Sequence, residues 1–304
     1  MKRLISALAA LLLAVGVQAA TIEDHSATAN GVQLHYLQAG AGSDTPVVLL
    51  HGYAETSHMW LPLMDQLADR RVVIAPDLRG AGGSAKPDGV YDKKTLAQDV
   101  HALVKGLGHR KVKIVGHDIG LMVAYAYAAQ YPDEVERIVL MDAFLPGVGD
   151  WKSVWLLRDL WHFHFHGQTA LQLVQGRERI YFEHFWNDFA ADRTHSLSEA
   201  DRQFYTAAYA QPGGMKAGFG YFKAFEQDAA AVRRQHAGEL VDDGGLAGAV
   251  RPDQRVAGAL HHLQREIAGD AKTAKGLFEI AGFQRDRHDA SFSGTATAAL
   301  RPAN

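Results

Sequence analysis

Four short apolar runs set what this chain can fold into. They are VVLLH from Val47, VVIAP from Val72, VKIVG from Val112 and RIVLMD from Arg137. Each is too short for a helix and lacks the polar alternation of a half-solvated strand, as strands buried in a parallel sheet do. Helical patterns lie between them, at residues 96–107 and 121–130. Strands that alternate with helices predict an α/β class, with a parallel sheet covered on both faces. Upstream, Asn30 and Gly31 form a hairpin-type turn. Val32, Leu34 and Tyr36 then alternate with polar neighbours, as in a half-buried strand.

A chain of 304 residues, 47% hydrophobic and 21% charged, can bury a sizeable core. Its formal charge of -3 gives no reason to expect a nucleic-acid partner. With no cysteine it can make neither a disulfide nor a thiolate metal site. Lys2 and Arg3, the apolar residues 4–17 and the small residues around Ala19 read as an export signal at residues 1–19. The apolar run is shorter than the roughly 20 residues a membrane span needs. The expectation is a periplasmic or secreted protein with no membrane association once the signal is removed.

The rest divides by composition into residues 20–146, which carry the strand–helix alternation, residues 147–225 and residues 226–304. The middle stretch crowds Trp151, Trp155, Trp161, Phe163, Phe165, Tyr181, Phe182, Phe185 and Trp186 together, mostly at helical spacings. It reads as a helical insertion, and its aromatics suit either a helical core or a lid over a pocket for an apolar substrate. The last stretch changes character: residues 231–304 contain no Trp, Tyr or Met, and LFEIAGF from Leu277 is its one weak strand candidate.

The stretch VGHDIG, from Val115 to Gly120, has the outline of a G-x-S-x-G nucleophile elbow with Asp118 in place of the serine. It follows a strand and opens a helix, as that turn requires. A carboxylate with an ordinary pKa near 3.9 is already an anion at neutral pH. Its natural target is an sp3 carbon bearing a leaving group, which gives an alkyl-enzyme ester. The competing account is that Asp118 only caps the following helix. In an elbow enzyme, the oxyanion donors would be the backbone N–H groups of Ile119 and Tyr53. DLRGAGGSAKP, residues 77–87, would lie at the same edge of the sheet.

Together, HGYAETSHMW, DLRGAGGSAKP and GHDIG resemble, in order and spacing, the α/β-hydrolase fold and within it the epoxide hydrolase and dehalogenase branch. WHFHF from Trp161 and ERIYFEHF from Glu178 bring the likeness closest to the secreted Cif-like epoxide hydrolases, over about residues 30–229. The resemblance implies an inserted helical lid and no cofactor. It implies Asp118 as nucleophile, Asp142 as charge-relay acid, His162 as the lid donor to an epoxide oxygen, and a small apolar substrate; a homodimer stays open. On the residues alone, His162, His164 and His166 are three alternating histidines on a solvated edge. No acidic residue is spaced to complete a metal site with them.

Two departures stand out. Where the family places a second lid donor, a tyrosine, this chain has Phe222; Tyr221, one residue earlier, is the catalytic candidate for that role, and it serves only if the local backbone shifts, because adjacent side chains point in different directions. The family's closing strands and general-base histidine have no match after Ala229. Of His236, His261, His262 and His288, only His288 lies near the expected distance from the chain end. A shifted reading frame, a truncated gene or disorder would account for the compositional break. Two rivals follow. One is a haloalkane or haloacetate dehalogenase, which shares the aspartate. The other is a catalytically defective hydrolase that lacks its base.

Overall fold

The computed structural model describes residues 21–190, 192 and 196–242, with side chains to residue 233. The export signal, the LFEIAGF segment and the side chains of His236, His261, His262 and His288 lie outside the described residues.

Each of the four apolar runs forms a strand: β3 (Val47–Leu50), β4 (Val73–Pro76), β5 (Val112–His117) and β6 (Val135–Met141). The turn at Asn30 and Gly31 joins β1 (Ile22–Ala29) to β2 (Val32–Ala39), and both residues take positive φ, 49° and 76°. The six strands lie in the order β1-β2-β4-β3-β5-β6. β1 and β2 pair antiparallel, β2 joins β4 antiparallel, and the pairs from β4 through β6 are parallel. All residues of β3 and β4 are buried, as central strands covered on both faces must be.

The connections are helical: α1 (Leu61–Leu67), α2 (Lys93–Gly106) and α3 (Ile119–Gln130). Asp92 starts α2 by accepting from the Thr95 N–H at 3.0 Å. Leu96, Val100 and Leu103 recur at helical spacing and are all buried. α3 is apolar almost all round and is buried along Ile119–Ala124, as befits a helix with strands and a second helix around it.

Between β6 and α9 (Phe225–Asp242), every described element is helical. These are α4 (Trp151–Trp155), a 3-10 segment (Arg158–Phe163), α5 (Gln168–Val174), α6 (Glu178–Glu183), a π-helical turn (His184–Asp188), α7 (Glu199–Ala210) and α8 (Gly214–Lys223). The insertion meets the core through aromatic rings. Tyr53 alone touches Tyr181, Phe182, Phe185, Tyr209 and Phe222, with ring centroids 4.6–6.4 Å apart. Parallel strands place the loops after β3, β4, β5 and β6 at one edge of the sheet. Those loops begin at His51, Asp77, Asp118 and Asp142.

Candidate active site

Asp118 stands between β5 and α3 with φ 50° and ψ -116°, outside the conformations ordinary residues adopt. Two glycines permit the turn. A Cβ on Gly116 would run into the carbonyl of Gly120, and one on Gly120 into the carbonyl of Leu50. The strand and the helix can touch only because both residues lack side chains. A third, Gly52, lets the loop after β3 approach: its Cβ would fall 2.8 Å from the Asp118 Cβ.

The Asp118 side chain does not cap α3. Its Oδ2 accepts from the Tyr53 N–H at 2.8 Å, and the Ile119 N–H also donates to the carboxylate. Burial raises the Asp118 pKa; the nearby His117 and these two donors oppose the rise. The carboxylate is thus held by backbone donors from two loops, with Oδ2 on the Tyr53 amide.

His51 holds the donor loop in shape. Its Nδ1 donates to the Gly52 carbonyl at 2.7 Å, and its Nε2 accepts from the Leu78 N–H at 3.0 Å. These two bonds fix a neutral ring, which agrees with burial lowering its pKa. Asp77 ties down the next loop. It accepts from the N–H groups of Ser57 (2.7 Å) and Gly83 (2.8 Å) and from the His35 ring (2.7 Å).

Next to Asp118 lies His117, among three carboxylates. Its Nδ1 is 3.0 Å from Glu55 Oε2, and its Nε2 is 3.9 Å from Asp142 Oδ2. Burial disfavours the charged ring, but Glu55, Asp142 and Asp118 outweigh it and lift the pKa well above the ordinary histidine value. Asp142, at the end of β6 with φ 58°, is held below the usual carboxylate range by this ring. Among the described residues, the histidine that meets Asp142 is His117.

The insertion supplies the roof. His162 is 5% exposed, and its ring packs on Phe185 (4.8 Å) and Phe222 (5.4 Å), which both touch Tyr53. Burial, with His184 nearby, lowers its pKa to about 3, so the ring is neutral at any ordinary pH. Tyr221 is turned elsewhere: its hydroxyl donates to the Arg79 carbonyl at 2.6 Å and its ring meets Tyr91. Phe222 faces Tyr53, His162 and Phe163.

The structure therefore gathers Asp118, Asp142 and the Tyr53 and Ile119 amides at one strand edge. His162 is joined to that edge through Phe185 and Phe222, which pack on Tyr53, and the Tyr221 hydroxyl is bonded to the Arg79 carbonyl. Sequence reasoning did not assign His51, Glu55 or His117. The available signals were a histidine directly before the elbow aspartate and an acid three residues after Gly52.

A family model described as alpha/beta hydrolase fold matches residues 45–239. The soluble epoxide hydrolase of Corynebacterium sp. (strain C12) is 36% identical over 204 residues, 65% of this chain and 70% of that protein. The chain belongs to the α/β-hydrolase family, in its epoxide hydrolase branch. Two solved structures agree. Cfl2 from Burkholderia cenocepacia is 31% identical with a TM-score of 0.65, covering 73% of this chain and 77% of that one. The Cif epoxide hydrolase from Acinetobacter nosocomialis is 23% identical, also with a TM-score of 0.65, covering 72% and 69%; it speaks for the fold alone. This enzyme is an epoxide-hydrolase-like hydrolase that carries Asp118 at the turn between β5 and α3.

Proposed function

We propose that this hydrolase opens an uncharged, apolar epoxide to a diol through an alkyl ester on Asp118. The observation that supports it best is the Asp118 carboxylate itself. It is strained into the elbow, makes no helix cap, rests Oδ2 on the Tyr53 amide and is also met by the Ile119 amide. The other carboxylate oxygen attacks an epoxide carbon and the C–O bond breaks. The departing oxygen takes a proton, and His162 in the roof is the candidate donor. Water then attacks the ester carbonyl, whose Oδ2 lies on the Tyr53 amide that stabilises the tetrahedral anion; the water gives up a proton, the acyl C–O bond breaks, and the diol leaves with the Asp118 carboxylate restored. The name of the Corynebacterium relative supports this reaction class.

The surroundings support an apolar substrate. Ile119 and Val123, beside the elbow, are buried apolar residues, and the Phe163, Phe185 and Phe222 rings of the insertion pack with Tyr53, whose amide holds Asp118. A haloacetate carboxylate would need a cation at those positions, and a halide would want a tryptophan N–H where Ile119 stands. The basic start and the apolar residues 4–17 support export to the periplasm or the medium. The test is turnover of a styrene-oxide-type epoxide against fluoroacetate by the purified protein. The aromatic epoxide should be consumed faster; faster defluorination would overturn the assignment.

A further inference from the structure

Two buried ring nitrogens in the roof have no hydrogen-bond partner among the described residues: His162 Nδ1 and His184 Nε2. An unsatisfied buried polar atom is costly, so two in neighbouring rings need an explanation. Their ring centroids are 5.6 Å apart, inclined at 61°. His184 is held from its other side, where Nδ1 lies 2.7 Å from Asp188 Oδ2. Both ends of that pair belong to the one π-helical turn of the insertion, His184–Asp188. Such turns are rare and are frequently found at functional sites. Asp188 is about half exposed, so the far end of the chain of groups reaches solvent.

We propose that Asp188, His184 and His162 form a proton relay that serves the oxygen released when the substrate ring opens. This rests on the proposed epoxide reaction. In the substrate complex the two rings close up, so that His184, with Nδ1–H donating to the Asp188 carboxylate, also donates Nε2–H to His162 Nδ1. That bond fixes His162 as the tautomer protonated on Nε2. As Asp118 forms its bond to carbon and the C–O bond breaks, the oxygen takes the Nε2 proton of His162. The His162 Nδ1 takes the Nε2 proton of His184, which becomes neutral. During ester hydrolysis the proton lost from water goes to His162 Nε2, and His162 Nδ1 returns its proton to His184 Nε2, which restores both rings. His162 is a neutral conduit, consistent with burial that disfavours its charged form. His184 and Asp188 are positioning residues that act through it. Hydrogen bonds of this kind are often long before substrate binds and tighten in the complex.

The test uses the full-length protein and the variants Asp188→Asn, Asp188→Glu and His184→Gln. The first readout is the ring 15N spectrum of His162 with the diol product of styrene oxide bound. The relay predicts a single Nε2-protonated tautomer in wild type and Asp188→Glu, and a mixture in Asp188→Asn and His184→Gln. The second readout is the single-turnover rate of mass addition to Asp118 with styrene oxide. Loss of general-acid help costs about 10²–10⁴ in rate. His184→Gln should therefore slow addition by about 10²-fold and Asp188→Asn by at least about tenfold. Epoxide affinity should stay unchanged, and Asp188→Glu should be restored. An unchanged His162 tautomer in both variants overturns the relay, as does an unchanged addition rate. If wild type adds no epoxide at all, the proposed function fails, and the ring spectra alone still decide whether the relay exists.

Discussion

Asp118 holds a backbone conformation that costs about 1–3 kcal/mol in a non-glycine residue, and its carboxylate is further disfavoured by burial. Both penalties are local to the reaction the residue is proposed to perform. Asp118→Gly should therefore raise stability by about 1 kcal/mol while abolishing covalent chemistry, measured by denaturant unfolding beside an epoxide-addition assay. Lower stability in that variant would mean that the elbow is not strained. A second residue-scale prediction concerns His35, whose bonds to Asp77 and Asp24 raise its pKa from 6.5 to about 9 against the opposing effect of burial. A base whose pKa is raised on folding stabilises the fold in full below about pH 6.5 and loses that contribution as the pH climbs through about 9. Stability should fall across that window in wild type, and His35→Gln should flatten the decline. Equal slopes in the two proteins would remove the pair from the account.

At the level of elements, a buried ion pair joins α2 to α9. Lys93 Nζ reaches Asp228 Oδ2 at 2.9 Å and the Tyr221 carbonyl at 2.6 Å, while the Lys93 N–H donates to Asp228 Oδ1 at 2.9 Å. Burial lowers the Lys93 pKa and raises that of Asp228, and each is partly offset by the other. Removing one partner strands a buried charge, so Lys93→Met should cost about 3–5 kcal/mol. A double variant with Asp228→Leu should recover much of that loss. A single-variant cost near zero would show that the pair is idle. The strands β3 to β6 and the helices α2 and α3 were legible because apolar runs and 3.6-residue periodicity are local signals. β1 was not: IEDHSATA is mostly polar, and it becomes a strand by pairing along all eight residues with β2. The antiparallel join of β2 to β4 was likewise invisible, since register is set by a partner distant in sequence.

Across the whole molecule, the same division between local and distant signals separates the site from its supports. Asp118 and its two amides were legible because strand, glycine, acid and helix follow one another within VGHDIG. The contacts of Glu55 and Asp142 with His117 were not, because they join residues from separate loops. Nor was the Asp188–His184–His162 row, which depends on how a π-helical turn faces a 3-10 segment. The orientation at Tyr221 and Phe222 follows the rule that neighbours diverge: one hydroxyl is bonded to the Arg79 carbonyl, and the ring beside it faces the roof of the site. These parts converge on one carboxylate. The most direct measurement is the intact mass of the protein quenched at early times with a styrene-oxide-type epoxide, followed by peptide mapping. The account predicts one added substrate mass on the peptide containing Asp118, and none in Asp118→Asn. An adduct on another residue, or diol formation undiminished in Asp118→Asn, would contradict it.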